Sequence, residues 1–507
     1  MTAIAALLTI SATLCAGETT LADAAERADW DAVRELLKSA PLAPQQADGM
    51  TALHWAVYHD HVEVSKELLR RNAAADARNR YGVSPLSIAC ANGNATLVEA
   101  LLDAGADAKA TLHGGETMLM IAARTGNGEA VNALLRRGAE VDARDRKQQT
   151  AIMWAAAEGN ADVVAMLLRA GAEFQTQLKS GFNPMFFAVR EGRTDVVREL
   201  LSAGSDVNQV MKPQAKGGRI ARRGTSPLVL AIENGHFELA VRLLEAGGDP
   251  NDQRSGFTPL HAITWTRKPN LGDGVDGEPP PIGSGSVTSL QLVRKLVEHG
   301  ADVNARLTRG RSGRGRVNHE GATPFLFACD TADVPLMRLL LELGADPTIP
   351  NVDDCPPILP AAGYGTLAPG EEAGNEEESL AAVELLLELG ADINAVDQNG
   401  ETVMHGAAYA SFPRMVEYLV NHGADIGVWN RENRHDWTPL LIAEGHRPGN
   451  FKPAAATIEA VRAAMIAGGV QPPAEPTPRK RRNRNYAWDD DAKPSPPTAE
   501  KPAKQQN

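Results

Sequence analysis

The chain has 507 residues, more than one hydrophobic core supports. Hydrophobic residues make up 43%, charged residues 23% and aromatics only 5%, a globular composition that argues against a large aromatic ligand pocket. A net charge of -13 argues against a chain built to coat nucleic acid. The four cysteines (Cys15, Cys90, Cys329, Cys355) show no C-x-x-C spacing, so neither a disulfide framework nor a cysteine metal site is expected. Beyond the N-terminus no apolar run reaches the length of about 18 residues that a membrane span needs.

Residues 1–17 form an uncharged apolar stretch that closes on Cys15-Ala16-Gly17. They read as a signal peptide cleaved after Ala16 or Gly17, although no Lys or Arg precedes the apolar run. The alternative is the first helix of a cap. Residues 18–47 are expected to be an N-terminal cap unit, with two helix patterns between Leu21 and Lys38.

The array that follows, 48–435, is periodic. Thr51, Ser84, Thr117, Thr150 and Asn183 stand 33 residues apart. The register returns at Ser226, Thr258, Thr323, Pro356, Thr402 and Thr438. Most markers have a glycine two residues before them, as at Gly49, Gly82 and Gly256. The best copy reads Thr258-Pro259-Leu260-His261-Ala262. A Leu-Leu pair and then Gly-Ala-Asp-x-Asn close the unit, as in Leu386-Leu387 and Gly390-Ala391-Asp392-Ile393-Asn394. Pro suits the first helical turn, and a glycine after the second helix ends it in a left-handed residue. One such unit cannot bury its apolar face alone, so neighbours must stack.

This pattern resembles the ankyrin repeat over about residues 19–470. The resemblance implies an all-α solenoid of helix-turn-helix units with β-hairpin fingers. Four insertions break the period, at 209–224, 266–289, 306–320 and 363–379. The first and third extend fingers and are basic; the second and fourth lie between paired helices of alternate units, where their loops are expected to meet. With these inserted loops the chain also resembles bacterial exported ankyrin-repeat proteins, which implies a periplasmic or secreted location if the signal is cleaved and a cytoplasmic one otherwise. Residues 436–470 are expected to form the last repeat and cap, with a detour at Gly445 to Pro453. The Pro-rich 471–507 segment reads as a disordered tail.

The concave groove and the fingers supply the candidate binding residues. Groove positions hold Tyr58, His59, Arg124, Arg190, Trp265, Tyr364 and Tyr409, with Arg267 beside them in the inserted loop. Exposed aromatics with nearby arginines are common binding anchors. Arg222, Arg223 and Arg311 represent a basic stripe along the fingers. The row Trp55, Ile88, Ile121, Trp154, Phe187 and Leu230 reads as core lining. His54, His261 and His405 occupy the repeat's own histidine position, which leaves His59 without a role. No phosphate loop, dinucleotide fingerprint or G-x-S-x-G elbow is present, and Cys90 and Cys329 read as packing residues. In the inserted loops Glu371 and His446 have no evident acid-base partner in sequence. No catalytic, cofactor or metal residue is therefore assigned. The expectation is a monomeric, non-catalytic scaffold for another protein, with an anionic polymer bound by the fingers as the second reading.

Overall fold

A computed structural model describes residues 20–39, 41–42, 46–214, 222–270, 281–309, 316–447 and 452–474. The segments read as signal peptide and as tail beyond residue 474, together with Arg311, lie outside the described residues. Among the described residues twelve helix pairs stack in one row. The first is Leu21–Glu26 with Trp30–Leu37; the last is Pro439–Ala443 with Ala455–Ala467. Inner helices pack on inner helices and outer on outer, and a single apolar core runs the length of the stack.

Each periodic feature has a physical role. Thr51, Ser84, Thr117, Thr258, Thr323 and Thr438 cap the inner helices, their hydroxyls accepting from the backbone N–H three residues on. In three units the histidine then ties the cap to the next unit. His54 Nδ1 lies 2.8 Å from Thr51 Oγ1, and its Nε2 lies 3.1 Å from the Val83 carbonyl. His261 and His405 repeat this toward Ala322 and Trp437. Burial pulls the imidazoles down, His261 to about 3 and His405 to about 4, so all three are neutral links at pH 7. The asparagine of Gly-Ala-Asp-x-Asn also reaches forward. Asn208 donates to the Gly247 carbonyl at 2.9 Å and accepts from the Asp249 N–H at 2.8 Å. Asn251, Asn304 and Asn394 make the same pair of bonds to the units that follow them.

The fingers are tight turns rather than regular strands. An isolated bridge pairs Thr111 with Thr117. Successive tips are joined by single backbone bonds, such as Arg80 N–H to the Asp48 carbonyl and Arg146 N–H to the Gly114 carbonyl. Units this short place too few residues in each finger for a ladder. The two enlarged fingers are closed at their base by reciprocal backbone bonds, Met211 with Thr225 and Gly224, and Leu307 with Ala322 and Gly321. Buried Met211 and Leu307 anchor those bases.

The inserted inter-helix loops do meet, as the alternate spacing suggests. Lys268 Nζ lies 2.9 Å from Glu378 Oε2, and the Ala373 N–H donates to Asn270 Oδ1 at 3.3 Å. The acidic run at the end of the 363–379 insertion is helical. Asn375 caps the helix Glu376–Glu388, and Glu376, Glu377 and Glu378 fill its first turn, where a helix favours negative charge. The inner helix of that unit is cut to Ile358–Ala361, and the chain then turns through Gly363, whose φ is +101°. It passes so close to the next inner helix that a Cβ on Gly406 would sit 2.8 Å from Tyr364 N and 3.1 Å from the Ala362 carbonyl oxygen.

Gly406→Ala should therefore destabilise the protein by about 1–3 kcal/mol, although alanine is the better helix former by about 1 kcal/mol. Leu101, fully buried in an outer helix, should cost about 2–5 kcal/mol on replacement by alanine. Denaturant unfolding of the two variants checks both; an unchanged midpoint for Leu101→Ala would mean that the repeat register is misassigned.

Candidate functional site

The concave face divides into an open N-terminal half and a filled C-terminal half. In the open half the inner helices Ala52–Tyr58, Pro85–Asn92, Met118–Thr125 and Ala151–Glu158 line a groove of about 590 Å³. Trp55, Ile88, Ile121 and Trp154 form its floor. The row expected to line the core thus also lines the groove: Ile88 and Ile121 are buried, while Trp55 and Trp154 are partly exposed. Tyr58 stands on the rim, 56% exposed, with its ring edge-on to Trp55 at 5.6 Å. Gln46 holds the Trp55 indole by accepting from Nε1 at 2.7 Å. Arg124 is exposed, and its guanidinium lies 5.4 Å from the Trp154 ring, a cation–π arrangement. Among the described residues it meets no carboxylate. The buried Trp154 Nε1 has no acceptor. Further along, Arg190 stacks over Phe182 and Phe187 at 5.1 and 5.5 Å and pairs with Glu191 at 2.8 Å.

His59 has a structural role. It packs edge-on to Trp30 at 5.7 Å and bonds the Glu26 carbonyl at 3.1 Å, docking the first unit onto the second. The signal was Trp30, the first residue of the outer helix of the cap.

Three of the expected groove anchors are not available in the C-terminal half. Tyr364 is 2% exposed and Tyr409 fully buried. The groove is filled there by the inserted loop, which Gly365 brings against Val317 and Gly374 against Thr331 and Ala332. The two tyrosine rings lie 6.0 Å apart. Tyr364 donates to the Arg316 carbonyl and Tyr409 to Glu401 Oε1, at 3.3 and 3.2 Å. Arg267 is equally committed. Its Nε and Nη2 reach both oxygens of Asp333 at 2.7 and 3.1 Å, and Asp333 in turn caps the helix Val334–Glu342. Trp265 is half-buried against Phe257 and Phe327.

The finger arginines are partly spent within the fold as well. Arg222 pairs with Glu233 at 2.9 Å and stacks on Phe257 at 5.0 Å. Arg223 donates to the Pro213 carbonyl, and Arg254 pairs with Asp252. Arg306 donates to the carbonyls of Gly321 and Pro350. Cys90, Cys329 and Cys355 are buried, and burial pushes the Cys90 thiol up to about 12, far from the range of a nucleophile. Among the described residues no group of three or more His, Cys, Asp or Glu converges to hold a metal, and no helix is long and apolar enough to cross a membrane.

Behind Tyr409 lies a buried carboxylate that the repeat pattern does not reveal. Glu401 is 1% exposed; its Oε1 accepts from Tyr409 and from Asn433 Nδ2, and its Oε2 has no donor. Burial, and then the charge of Asp397, pushes Glu401 up to about 8, against opposing pulls from Tyr409, Asn433 and Arg434. A carboxylic acid with a raised folded-state pKa favours folding in its neutral form. Its contribution is present below the ordinary carboxylate range and is lost as pH rises toward about 8. Glu401→Gln should thus raise the melting temperature more at pH 9 than at pH 5. Equal shifts at both pH values would show that Glu401 titrates normally.

Comparison with known proteins agrees with this architecture. The model for ankyrin repeats in three copies matches residues 6–79, 21–112, 66–145, 119–211 and 372–451, and the single ankyrin-repeat model matches 223–254. The matched spans cover more than half of the chain, and the first begins inside the stretch read as a signal peptide. The chain is similar to the B-cell lymphoma 3 protein homolog of Mus musculus, 32% identical over 32% of this chain and 31% of that protein. It is similar to the ankyrin repeat, SAM and basic leucine zipper domain-containing protein 1 of Dasypus novemcinctus, 32% identical over 27% of this chain and 24% of that one. A shorter match, 41% identical over 13% of this chain and 8% of the other, joins it to the ankyrin repeat and LEM domain-containing protein 1 homolog of Caenorhabditis elegans. The chain thus spans less than a third of the length of the relatives it matches.

Proposed function

The chain belongs to the ankyrin-repeat family, and from that premise we propose that it is a non-catalytic scaffold that binds another protein in the N-terminal half of its groove. The observation that carries this reading is the open floor of Trp55, Ile88, Ile121 and Trp154 beside an unpaired, solvent-facing Arg124. An apolar floor takes one or two apolar side chains of an extended segment. Arg124, held flat on Trp154, takes an acidic side chain next to them. Tyr58 closes the rim at one end, and Arg190 continues the cationic edge at the other. The partner's chemistry is therefore an apolar segment flanked by Asp or Glu.

The reading of the fingers as a binding site for an anionic polymer has less support, since Arg222, Arg223, Arg254 and Arg306 all make internal contacts. Export remains part of the proposal. An intact mass that begins at Gly17 or Glu18 after expression in a bacterium would support a periplasmic or extracellular partner.

Selection of random displayed peptides on the immobilised full chain tests the groove. Enriched peptides should carry apolar residues beside an acid. Tyr58→Ala and Arg124→Glu should each weaken them about tenfold or more in fluorescence anisotropy, while Tyr409→Phe leaves them unchanged. Peptides indifferent to both groove substitutions would overturn the assignment. A steep loss of binding with salt, together with sensitivity to finger arginines, would move the site to the fingers.

A further inference from the structure

The groove of the N-terminal half carries its charges in a fixed order along the row. At the cap end Gln46 Nε2 donates to Asp23 Oδ1 at 3.0 Å and to Glu26 Oε2 at 2.6 Å, while the same side chain holds the Trp55 indole. Glu26 is exposed there, with Arg27 next to it in the chain. The apolar floor follows, and Arg124 rests on Trp154 at its far end. Glu116 also lines the groove, but it precedes the helix Met118–Thr125 and Arg124 lies in that helix's last turn, so the two stand at opposite ends of it. From the cap inward the order is carboxylate, apolar, guanidinium.

One segment of the chain itself carries the complementary order. Arg479, Lys480, Arg481, Arg482 and Arg484 are followed by Tyr486-Ala487-Trp488 and then by Asp489-Asp490-Asp491. The segment lies beyond Ala474, the last described residue. Spacing agrees as well as sign. Asp490 stands nine residues after Arg481, about 30 Å of extended chain. The first and fourth helix pairs, which hold Glu26 and Arg124, stand three steps apart, about 24–30 Å for packed helices. Between the charged blocks, Tyr486 and Trp488 are of the residue types that anchor in apolar clefts, and Trp55 and Trp154 offer partly exposed rings to cover.

Reach decides which groove the segment enters. Trp488 stands 14 residues after Ala474, about 50 Å at full extension. Trp154 belongs to the fifth helix pair and Ala474 follows the twelfth, seven steps away, or about 56–70 Å. Trp55 is three steps farther. The segment falls short of its own groove, and a second copy has no such limit.

We propose that residues 479–491 of one copy dock in the N-terminal groove of another, and that this contact closes the groove to its partner. The inference rests on the groove reading above and adds an occupant to it. The aromatic pair covers the floor, the aspartates meet Arg124, and the basic run meets Asp23 and Glu26. The segment and the groove are different surfaces, so each copy gives one and takes one, and association continues past a dimer unless it closes on itself.

A labelled synthetic peptide of residues 479–491, titrated in fluorescence anisotropy with the full chain carrying Trp488→Ala, tests the pairing without competition from the protein's own segment. Saturable binding is expected, weakened about tenfold or more by adding Tyr58→Ala or Arg124→Glu to the protein. A peptide of the same composition, with its aromatic block moved ahead of its basic block, should bind about tenfold more weakly. Sedimentation of the native full chain should show a mass that rises with concentration, and the Trp488→Ala chain should stay monomeric. No saturable binding of the peptide, or binding indifferent to both groove substitutions, overturns the proposal. Equal binding of the rearranged peptide does so too, since it would mark attraction to net charge. A native chain that binds the peptide yet stays monomeric at every concentration would put the segment in its own groove and overturn the pairing between copies. If displayed peptides still depend on Tyr58 and Arg124 while the 479–491 peptide fails, the groove reading stands and its self-occupancy falls; indifference of both to those residues removes both.

Discussion

Polar side chains at recurring positions in this protein are satisfied by a neighbouring copy of the unit: cap asparagines such as Asn127 and Asn160 reach back, and another set reaches forward. The Asn208, Asn251, Asn304 and Asn394 side chains each bridge to the glycine carbonyl and aspartate N–H that follow in the array. The His54, His261 and His405 rings do the same beneath the fingers. A unit without a successor would leave these donors and acceptors to water and its apolar stripe uncovered. That dependence fixes the spacing and the mutual orientation of the helices, and the groove follows from it as the inner edge of the row.

Much of this order was legible in the sequence because the repeat copies state it eleven times. The Thr or Ser marker is a helix cap, the glycines are left-handed turns, and the Leu-Leu pair is core. Tyr58 and Arg124 line the N-terminal groove. The register assigns Tyr409 to the groove as well, yet it is fully buried, because register says nothing about what else occupies the space. Tyr409 is covered because the 363–379 loop folds inward, and the signal was a shortened inner helix ending in Gly363 with a tyrosine directly after it. Arg267 was misread for a related reason. Asp333 stands where other units carry His61, Asn94 or Asn127 as the outer-helix cap, and an acid at that position offers a buried arginine both of its oxygens.

The two halves of the groove differ in what their groove-facing residues are asked to do. Toward the N-terminus those residues are large, exposed and weakly tied, with Tyr58 and Arg124 resting on Trp55 and Trp154. Toward the C-terminus they are tyrosines, carboxyls and an arginine enclosed by the chain's own loops. Enclosure raises the carboxyl pKa values, Asp330 to about 7 and Glu401 to about 8, and makes that end sensitive to alkaline rather than acid conditions. The neutral histidines of the caps act in the opposite direction. Their contribution is kept above the ordinary histidine range and lost as pH falls toward about 4 and 3.

The contact of Lys268 with Glu378 and of Asn270 with Ala373 joins units that are not adjacent in the row, since the helix pair Pro324–Asp330 and Val334–Glu342 stands between them. Lys268 also donates to the Ala332 carbonyl of that intervening pair, so three units share one fastening. In a row held by adjacent contacts alone, the partition function factors into units and their interfaces, and a whole unit is the natural quantum of insertion or loss. A bridge over a unit removes that factorisation. The units from Pro259 to Glu388 become one cooperative block, and a copy excised from inside it would leave the two ends of the bridge out of register by one step of the stack.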